Sequence, residues 1–329
     1  MRRAGAANAA AWREAVRAGD RRAIAKTITL LESTRPDHAA RAQEILDGLL
    51  PYTGQAVRLG ITGSPGVGKS SFIEALGLHV LGQGRRVAVL AIDPSSPVSG
   101  GSILGDKTRM ERLAQEKNAY IRPSPSGGSL GGVAQRTRET LLLCEAAGFD
   151  AVIVETVGVG QSEVTVASMV DCFLVLLQPG AGDALQGIKK GVLELADVLV
   201  VHKADGEQKA LALRAAREYA HALALLRPAS AAWRPPVLAA SARTGEGVAA
   251  VWEAVLAHRA ALGASGDLDA RRRSQARAWL WSLLDEGLRA AFREHPGVRA
   301  LLEALEQAVA EQRTTPAAAA RELLAAFRA

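Results

Sequence analysis

Eight consecutive residues carry the clearest chemistry in this chain and match the pattern G-x-x-x-x-G-K-S: Gly63, Ser64, Pro65, Gly66, Val67, Gly68, Lys69 and Ser70. In such a loop, successive backbone N–H groups surround a polyphosphate, the lysine meets the outer phosphate oxygens, and the serine hydroxyl ligates Mg²⁺. The context is the required one, because residues 57–61 predict a strand and residues 71–81 predict an amphipathic helix. We therefore expect a nucleoside triphosphate and Mg²⁺ along residues 63–71, Ser71 included.

Acidic residues follow the predicted strands that come next in the chain. Asp93 ends the run at 86–92, and Asp106 lies further along the same Gly- and Pro-rich loop. Mg²⁺ prefers oxygen ligands and keeps several waters, so a carboxylate here can hold it directly or through its water shell. We expect at least one of these two residues to be linked to the metal, the alternative being a long surface loop with solvated acids.

Glu155 ends an otherwise apolar strand, where a carboxylate is unfavourable unless it meets a cation or water. It is a candidate to orient an attacking water or to support the metal. Gly158 and Gly160 would let the backbone approach the terminal phosphate, and Gln161 is either a contact to the nucleophile or a surface residue. Lys189, in a later Gly-rich loop, either adds positive charge to the site or forms a simple salt bridge.

A second motif indicates which base is bound. His202, Lys203, Ala204 and Asp205 occupy the place of the guanine-reading motif N-K-x-D. The aspartate would accept hydrogen bonds from guanine N1–H and N2–H₂, and the lysine stem would pack along the base. The loop of Ser241, Ala242 and Arg243 would offer a backbone N–H to guanine O6. A histidine replaces the usual asparagine, and we expect it to supply one donor but not the amide's donor–acceptor pair, weakening GTP binding by about 1 kcal/mol.

These motifs require an α/β architecture. Seven short apolar runs alternate with helical stretches, at 57–61, 86–92, 119–121, 151–155, 172–177, 198–202 and 237–239. Such a pattern predicts a mostly parallel sheet flanked by helices on both faces, with phosphate sites at the carboxyl ends of the strands.

Helical extensions are expected on both sides of this domain. We expect an N-terminal helical extension over 1–52, with two helices broken at Arg35-Pro36, the nucleotide domain over 53–262, and a helical arm over 263–329. The arm should contain helices near 270–294, 298–312 and 316–327. Its apolar residues recur at helical spacing, so it needs either a docking face on the same chain or a dimer interface.

Composition narrows the class of protein. The chain of 329 residues is 48% hydrophobic, and no apolar run reaches the length of a membrane span. Met1-Arg2-Arg3-Ala4 lacks a secretory core, and two cysteines do not make a disulfide framework, so we expect a cytoplasmic protein with buried, reduced Cys144 and Cys172. The net charge is +6, but only 4% of residues are aromatic. The arginines near the start and at 271–273 therefore indicate a solvated helix face or an acidic protein partner rather than nucleic acid.

Taken together, the motifs resemble those of the MeaB/ArgK-type P-loop GTPases, the family of the methylmalonic aciduria type A protein. The segments that carry the resemblance are 93–96, 105–109, 155–161 and 180–191, and the likeness extends over most of the chain. It implies a P-loop GTPase fold of the SIMIBI class and a homodimer joined through the C-terminal arm. It also implies a GTPase chaperone that gates cofactor loading and the protection or reactivation of an adenosylcobalamin-dependent acyl-CoA mutase.

The resemblance also assigns roles to individual residues. It places Ser70, Asp93, Asp106 and Glu155 in the Mg²⁺ and hydrolysis centre and Lys189 in a third switch loop that the mutase would reposition. Cobalamin is expected on the partner, because the chain has no D-x-H-x-x-G signature. Two other functions remain open: a kinase of the older ArgK description, for which no acceptor pocket is marked, and a metal-inserting GTPase, for which no Cys- or His-rich site is present.

Overall fold

The structure, a computed structural model, describes residues 2–92, 110–122, 130–156, 162–179, 190–224 and 230–328. The chain divides into two compact units, Met1–Arg272 and Arg273–Ala329. Several residues named above lie outside the described ranges: Asp93, Asp106, Gly158, Gly160, Gln161 and Lys189.

The first unit is built on a seven-stranded sheet. Its strands are β1 (Val57–Gly63), β2 (Val87–Ile92), β3 (Ala119–Arg122), β4 (Ala151–Thr156), β5 (Cys172–Leu177), β6 (Val198–Val201) and β7 (Val237–Ala239). Their order across the sheet is β3-β2-β4-β1-β5-β6-β7, and every neighbouring pair is parallel. The predicted α/β fold is confirmed. The strand that precedes the G-x-x-x-x-G-K-S loop thus lies in the middle of the sheet.

The described chain contains thirteen α-helices. They are α1 (Arg2–Arg17), α2 (Arg21–Glu32), α3 (Pro36–Leu49), α4 (Lys69–Gly82), α5 (Glu111–Gln115), α6 (Leu130–Ala146), α7 (Ser162–Ala167), α8 (Lys190–Leu195), α9 (Lys209–Ala224), α10 (Val248–Ser265), α11 (Asp267–Glu294), α12 (Pro296–Ala310) and α13 (Pro316–Arg328).

The sheet is buried on both faces, which explains its nearly continuous apolar strands. Successive side chains of β5 alternate between two cores: Phe173 and Val175 belong to one, and Leu174 and Leu176 belong to the other. Helices α1, α2, α3, α6 and α9 supply the first core, and α4 and α10 supply most of the helical side chains of the second. The two layers hold the carboxyl ends of the central strands in a fixed arrangement.

The N-terminal segment forms three helices, not the two that we expected from the break at Arg35-Pro36. The additional break lies at Gly19, whose φ is +75°, and at Asp20, which caps α2. The Asp20 carboxylate accepts hydrogen bonds from the N–H groups of Arg22 (2.7 Å) and Ala23 (3.1 Å), which have no partner within the helix. These three helices pack on the same core as the sheet.

Two arginines of the expected solvated cluster at 271–273 are instead paired with buried acids at the amino edge of the sheet. Arg272 Nη2 lies 2.6 Å from Oδ2 of Asp171, whose side chain is only 1% exposed. Arg271 Nη1 lies 2.9 Å from Oδ2 of Asp197, which His258 also approaches at 3.2 Å. Our interpretation of these two arginines as a solvated face or a partner site was wrong, because a buried carboxylate requires a cation.

The second unit contains most of α11 together with α12 and α13. Phe292 and Phe327 stack edge to face with ring centroids 5.3 Å apart, and Val298 is fully buried. One stretch of α11 remains largely exposed, with relative accessibilities of 56% for Leu280, 66% for Trp281 and 61% for Leu288. Large apolar side chains in this number are unusual on a solvated helix.

Two expectations from composition can be compared with the structure. Cys144 and Cys172 are both free and buried, and burial raises the pKa of the Cys144 thiol to about 12, so both behave as packing residues. Within the described part of the chain, none of the helices combines the length and the apolar character that crossing a bilayer requires.

Candidate functional site

The G-x-x-x-x-G-K-S loop connects the end of β1 to the start of α4. Gly66 and Gly68 adopt left-handed conformations, with φ of +78° and +94°, which reverse the backbone and would strain any other residue. Gly63 lies so close to β5 that a Cβ atom would be 2.6 Å from the Leu176 carbonyl oxygen. The loop therefore opens at the amino end of α4, where N–H groups and the helix dipole favour an anion.

Lys69 begins α4, and its ammonium group lies within the loop. Its Nζ donates to the carbonyl oxygen of Gly63 at 2.9 Å. That carbonyl belongs to the last residue of β1, so the charge lies beside the loop that would surround a phosphate. The lysine is positioned as the motif requires for contact with an outer phosphate.

Ser70 and Glu155 meet at the carboxyl edge of the sheet. The Ser70 hydroxyl donates to Glu155 Oε1 at 3.1 Å. Glu155 is 3% exposed, lies in β4, and pairs in register with Ile61 of β1. Two oxygen-bearing side chains predicted for the metal are thus adjacent, and oxygen is the donor that Mg²⁺ takes. The other two predicted metal residues, Asp93 and Asp106, lie outside the described residues, as does Lys189.

The predicted base-reading residues follow β6 and β7. Lys203 has a φ of +61°, uncommon for a residue with a side chain, and its Nζ donates to Gly66 O at 2.8 Å. The Ser241 hydroxyl donates to Oδ2 of Asp205 and accepts the Thr244 N–H at 3.2 Å. The Asp205 carboxylate is thereby held at the mouth of the site, where it can accept two N–H groups from a purine.

Arg243 adds little to this arrangement. Its Nε lies 3.5 Å from Asp205 Oδ1, and its side chain is 80% exposed. An ion pair so accessible to water contributes little free energy. Of the predicted loop 241–243, the structure thus ties Ser241 to Asp205 and the backbone N–H of Ala242 to His202.

His202 corrects one sequence-based argument. Its Nδ1 lies 2.8 Å from the Val67 carbonyl oxygen, and its Nε2 accepts the Ala242 N–H at 3.2 Å. A neutral imidazole with its hydrogen on Nδ1 is both a donor and an acceptor, so the argument that it lacks such a pair was wrong. The ring is 3% exposed, stacks edge to face on Phe72, and joins the phosphate loop to the base loop. The weaker GTP binding that we expected stays a prediction.

A cavity of about 640 Å³ joins these parts. Its described lining includes Gly68, Ser71, His202, Lys203, Asp205 and Ala242. Glu74 and Arg112 also line it and were not anticipated from the sequence. Glu74 accepts the N–H of Arg112 at 2.9 Å and thereby fixes the start of α5 against α4. Glu74 could have been predicted to line the site, because it follows Ser70 by four residues and residues four apart share a helix face.

Comparison with known proteins agrees with this geometry. The family model described as "Methylmalonyl Co-A mutase-associated GTPase MeaB" matches residues 24–297. A relative from Caulobacter vibrioides is 57% identical over 310 residues, which is 94% of this chain and 95% of its own. The GTPase ArgK of Escherichia coli is 51% identical over 82% of both chains. The mouse protein named methylmalonic aciduria type A homolog, mitochondrial, is 45% identical over 94% of this chain and 77% of its own.

A solved structure gives the same result for the fold. The crystal structure of a protein named "LAO/AO transport system kinase" superposes with a TM-score of 0.78 at 39% identity and covers 98% of both chains. The phosphate loop, the family match and the relatives named as GTPases agree on GTP binding and hydrolysis. This chain is a P-loop GTPase and belongs to the MeaB family of methylmalonyl-CoA mutase-associated GTPases.

Proposed function

We propose that this GTPase is a chaperone of an adenosylcobalamin-dependent acyl-CoA mutase, either methylmalonyl-CoA mutase or a close relative. It would gate loading of the cofactor and protect or reactivate the mutase. The observation that carries the proposal is the family match over residues 24–297, whose description names the mutase. The mouse relative, named for methylmalonic aciduria, supports the same partner. Cobalamin itself would be held by the mutase.

We propose that Ser70 and Glu155, together with Asp93 and Asp106, hold Mg²⁺. The hydroxyl–carboxylate pair at 3.1 Å supports this, since both groups carry the oxygen donors that the ion prefers. When bound, Mg²⁺ would neutralise charge on the outer phosphates. The protein side chains would then determine where the phosphates and the metal lie.

The hydrolytic step would rest on residues around the terminal phosphate. Lys69 would exchange its hydrogen bond to Gly63 O for phosphate oxygens and stabilise the charge that develops on them. Glu155 would orient the attacking water or hold a ligand of the metal. Asp106 would assist at the metal, and Lys189 would add positive charge from the third switch loop once the mutase repositions it.

We propose that guanine lies between Lys203 and the loop of Ser241 and Ala242. Asp205 would accept hydrogen bonds from N1–H and N2–H₂, a pair of donors that adenine does not present on that edge. The hydrogen bond from Ser241 to the Asp205 carboxylate supports this role, because it fixes the acceptor before the nucleotide arrives. Lys203, held to Gly66 O, would pack its stem along the base.

We also propose a homodimer formed through the C-terminal arm, for which we expected residues 263–329. The apolar side chains exposed on α11 support this, because Leu280, Trp281, Leu284 and Leu288 lie within three helical turns. A second copy of the chain would remove them from water. Replacing Trp281 with glutamate should yield monomers in sedimentation velocity, and an unchanged dimer would show that the interface lies elsewhere.

The proposed partner is tested by GTP hydrolysis in the presence and absence of purified acyl-CoA mutase. We expect slow turnover by the isolated protein and faster turnover with the mutase. The Lys69→Ala variant is the control for hydrolysis by contaminants, because it removes the charge at the phosphates. Equal rates with and without each candidate mutase would contradict activation by such a partner.

The kinase alternative keeps one supporting observation, the word "kinase" in the name of the solved protein that is 39% identical to this chain. Incubation with GTP labelled on the γ-phosphate would separate the functions. Release of all label as inorganic phosphate supports the GTPase, whereas stoichiometric transfer to a small molecule or protein supports the kinase.

A further inference from the structure

His202 lies where the phosphate loop and the base loop meet, in a position that demands a specific arrangement of hydrogens. Its Nδ1 faces the carbonyl oxygen of Val67 at 2.8 Å, and that oxygen can only accept. Its Nε2 faces the backbone N–H of Ala242 at 3.2 Å, and that group can only donate. One donor and one acceptor are needed, so these two contacts match a neutral imidazole with its hydrogen on Nδ1.

The ring has little freedom to reorient. It is 3% exposed, and its centroid lies 5.5 Å from that of Phe72 in an edge-to-face stack. A Cβ atom built on Gly68 would be 2.9 Å from its Cε1 atom, so the phosphate loop also packs tightly against the ring. A flipped ring or the other tautomer would also leave the buried Val67 oxygen without its donor, which is unfavourable.

Guanine changes what is required at Nε2. In the proposed site, the Ala242 N–H donates to guanine O6, and O6 and N7 are the two acceptors on that edge of the base. Nε2 lies 3.2 Å from the same Ala242 nitrogen. In the proposed site we therefore place it beside the O6 and N7 edge of the base. A neutral Nε2 would then face an acceptor with its own lone pair. With Val67 O on one side and guanine on the other, both ring nitrogens would face acceptors once the base takes over the Ala242 N–H.

We propose that His202 takes up a proton when a guanine nucleotide binds, so that the imidazolium donates from Nδ1 to Val67 O and from Nε2 to the acceptor edge of guanine. The inference rests on the proposed placement of guanine beside Asp205 and Ala242. His202 is thereby a positioning residue whose charge depends on the nucleotide, and GTP and GDP bind more tightly as the pH falls. An asparagine at this position has an amide N–H₂ group and needs no proton.

The electrostatic surroundings agree with this sequence of events. Burial lowers the pKa of His202 below its ordinary value, the hydrogen bond to Val67 O opposes this effect, Lys203 adds to it, and Asp205 opposes it. A lowered pKa favours the neutral imidazole that the contacts with Val67 and Ala242 require. The charged groups that line the same cavity are Glu74, Arg112, Lys203, Asp205 and Arg243.

The sign of the pH effect follows from linkage. A group whose pKa is higher in the complex than in the free protein makes binding stronger at low pH, and the gain is lost as the pH rises through the pKa of the complex. Each unit of difference between the two pKa values changes the dissociation constant by up to about tenfold. Carboxylates and basic side chains have reference pKa values outside pH 5 to 8, which leaves histidine as the group that responds there.

Calorimetry of GDP binding tests the proposal directly. Titrations at pH 6.5 in two buffers of different ionisation enthalpy give the number of protons taken up per GDP, in the presence of Mg²⁺. We compare the wild type with His202→Asn and with His221→Asn, which makes the same change on the exposed surface of α9. The titration of the diphosphate is common to all three proteins and cancels in the difference.

The expected result is an excess uptake of up to about half a proton near the pKa of the complex, in the wild type and His221→Asn but not in His202→Asn. The wild-type dissociation constant should also fall with pH relative to that of His202→Asn. Equal proton uptake and a constant ratio of dissociation constants would overturn the inference while leaving the nucleotide site intact. A failure of GDP to bind any of the three proteins would overturn the proposed site as well.

The wild type alone gives a second reading that does not depend on a variant. In a ¹⁵N NMR titration of the histidine rings, His202 should show a neutral ring in the free protein and protonation of both nitrogens in the GDP complex at pH 6.5. A neutral His202 in the complex at that pH would overturn the proposal.

Discussion

Replacing Gly68 with alanine tests the packing of the phosphate loop against His202. Gly68 has a φ of +94°, and an added Cβ would lie 2.9 Å from Cε1 and 3.0 Å from Nδ1 of the His202 ring. Gly66 is the matched control, because its φ of +78° is also left-handed but its Cβ would meet only Gln178 Nε2, at 3.9 Å. The two variants share the backbone strain and differ in the contact with the ring.

The expected magnitudes follow from these distances. A left-handed conformation costs alanine about 1–2 kcal/mol, which applies to both variants. The buried ring of His202 cannot retreat without losing its bonds to Val67 and Ala242, and each is worth about 1 kcal/mol. Gly68→Ala should therefore lower the free energy of unfolding by about 3–4 kcal/mol and Gly66→Ala by about 1–2 kcal/mol.

Urea unfolding of the nucleotide-free protein measures both values, so that contacts with a bound phosphate do not enter. The same two variants are then measured in a His202→Ala background. There Gly68→Ala should lower the free energy of unfolding only as much as Gly66→Ala does, because the obstructing ring is gone. Equal losses at the two glycines in the wild-type background would refute the reasoning. The reasoning would also be refuted if Gly68→Ala lowered the free energy of unfolding just as much in the His202→Ala background.

Two further predictions concern the acids at the amino edge of the sheet. Arg272→Ala leaves the buried Asp171 without its cation and should cost about 3–5 kcal/mol of unfolding free energy, whereas Arg214→Ala, in an exposed pair with Glu218, should change it little. Burial raises the pKa of Asp197, but the adjacent His258 and the hydrogen bonds from Arg271 outweigh it and hold the pKa below its usual value. That stability is present above the unfolded-state pKa and is lost as the pH falls through the folded one, so Asp197→Asn should flatten the acid limb of a urea-midpoint profile.

Local patterns predicted the centre of the fold well. The limits of β5 and β7 agree with the runs at 172–177 and 237–239, because buried parallel strands require uninterrupted apolar sequence. The strand, loop and helix around residues 57–82 were equally clear, since the glycines of the loop have a fixed spacing. The break at Gly19 and Asp20 was missed, although a glycine followed by a capping aspartate is a usable signal.

Contacts between distant segments were not predictable in the same way. Asp171 and Arg272 are 101 residues apart, and only the packing of the start of α11 against the amino edge of the sheet brings them together. The pair formed by His202 and Ala242 has the same origin, because β6 and β7 are neighbours at the edge of the sheet. The residue types at these positions were visible in the sequence. Their partners were not visible. We therefore expected the arginines to be solvated and the histidine to lack a donor–acceptor pair.

We propose that a guanine nucleotide binds at the carboxyl ends of β1 and β6. A crystal structure of the protein grown with GDP and Mg²⁺ tests it most directly. We predict the diphosphate beside the backbone N–H groups of residues 64–70 and the guanine on the Asp205 carboxylate. A diphosphate bound anywhere else on the chain, or a base that makes no contact with Asp205, would contradict it.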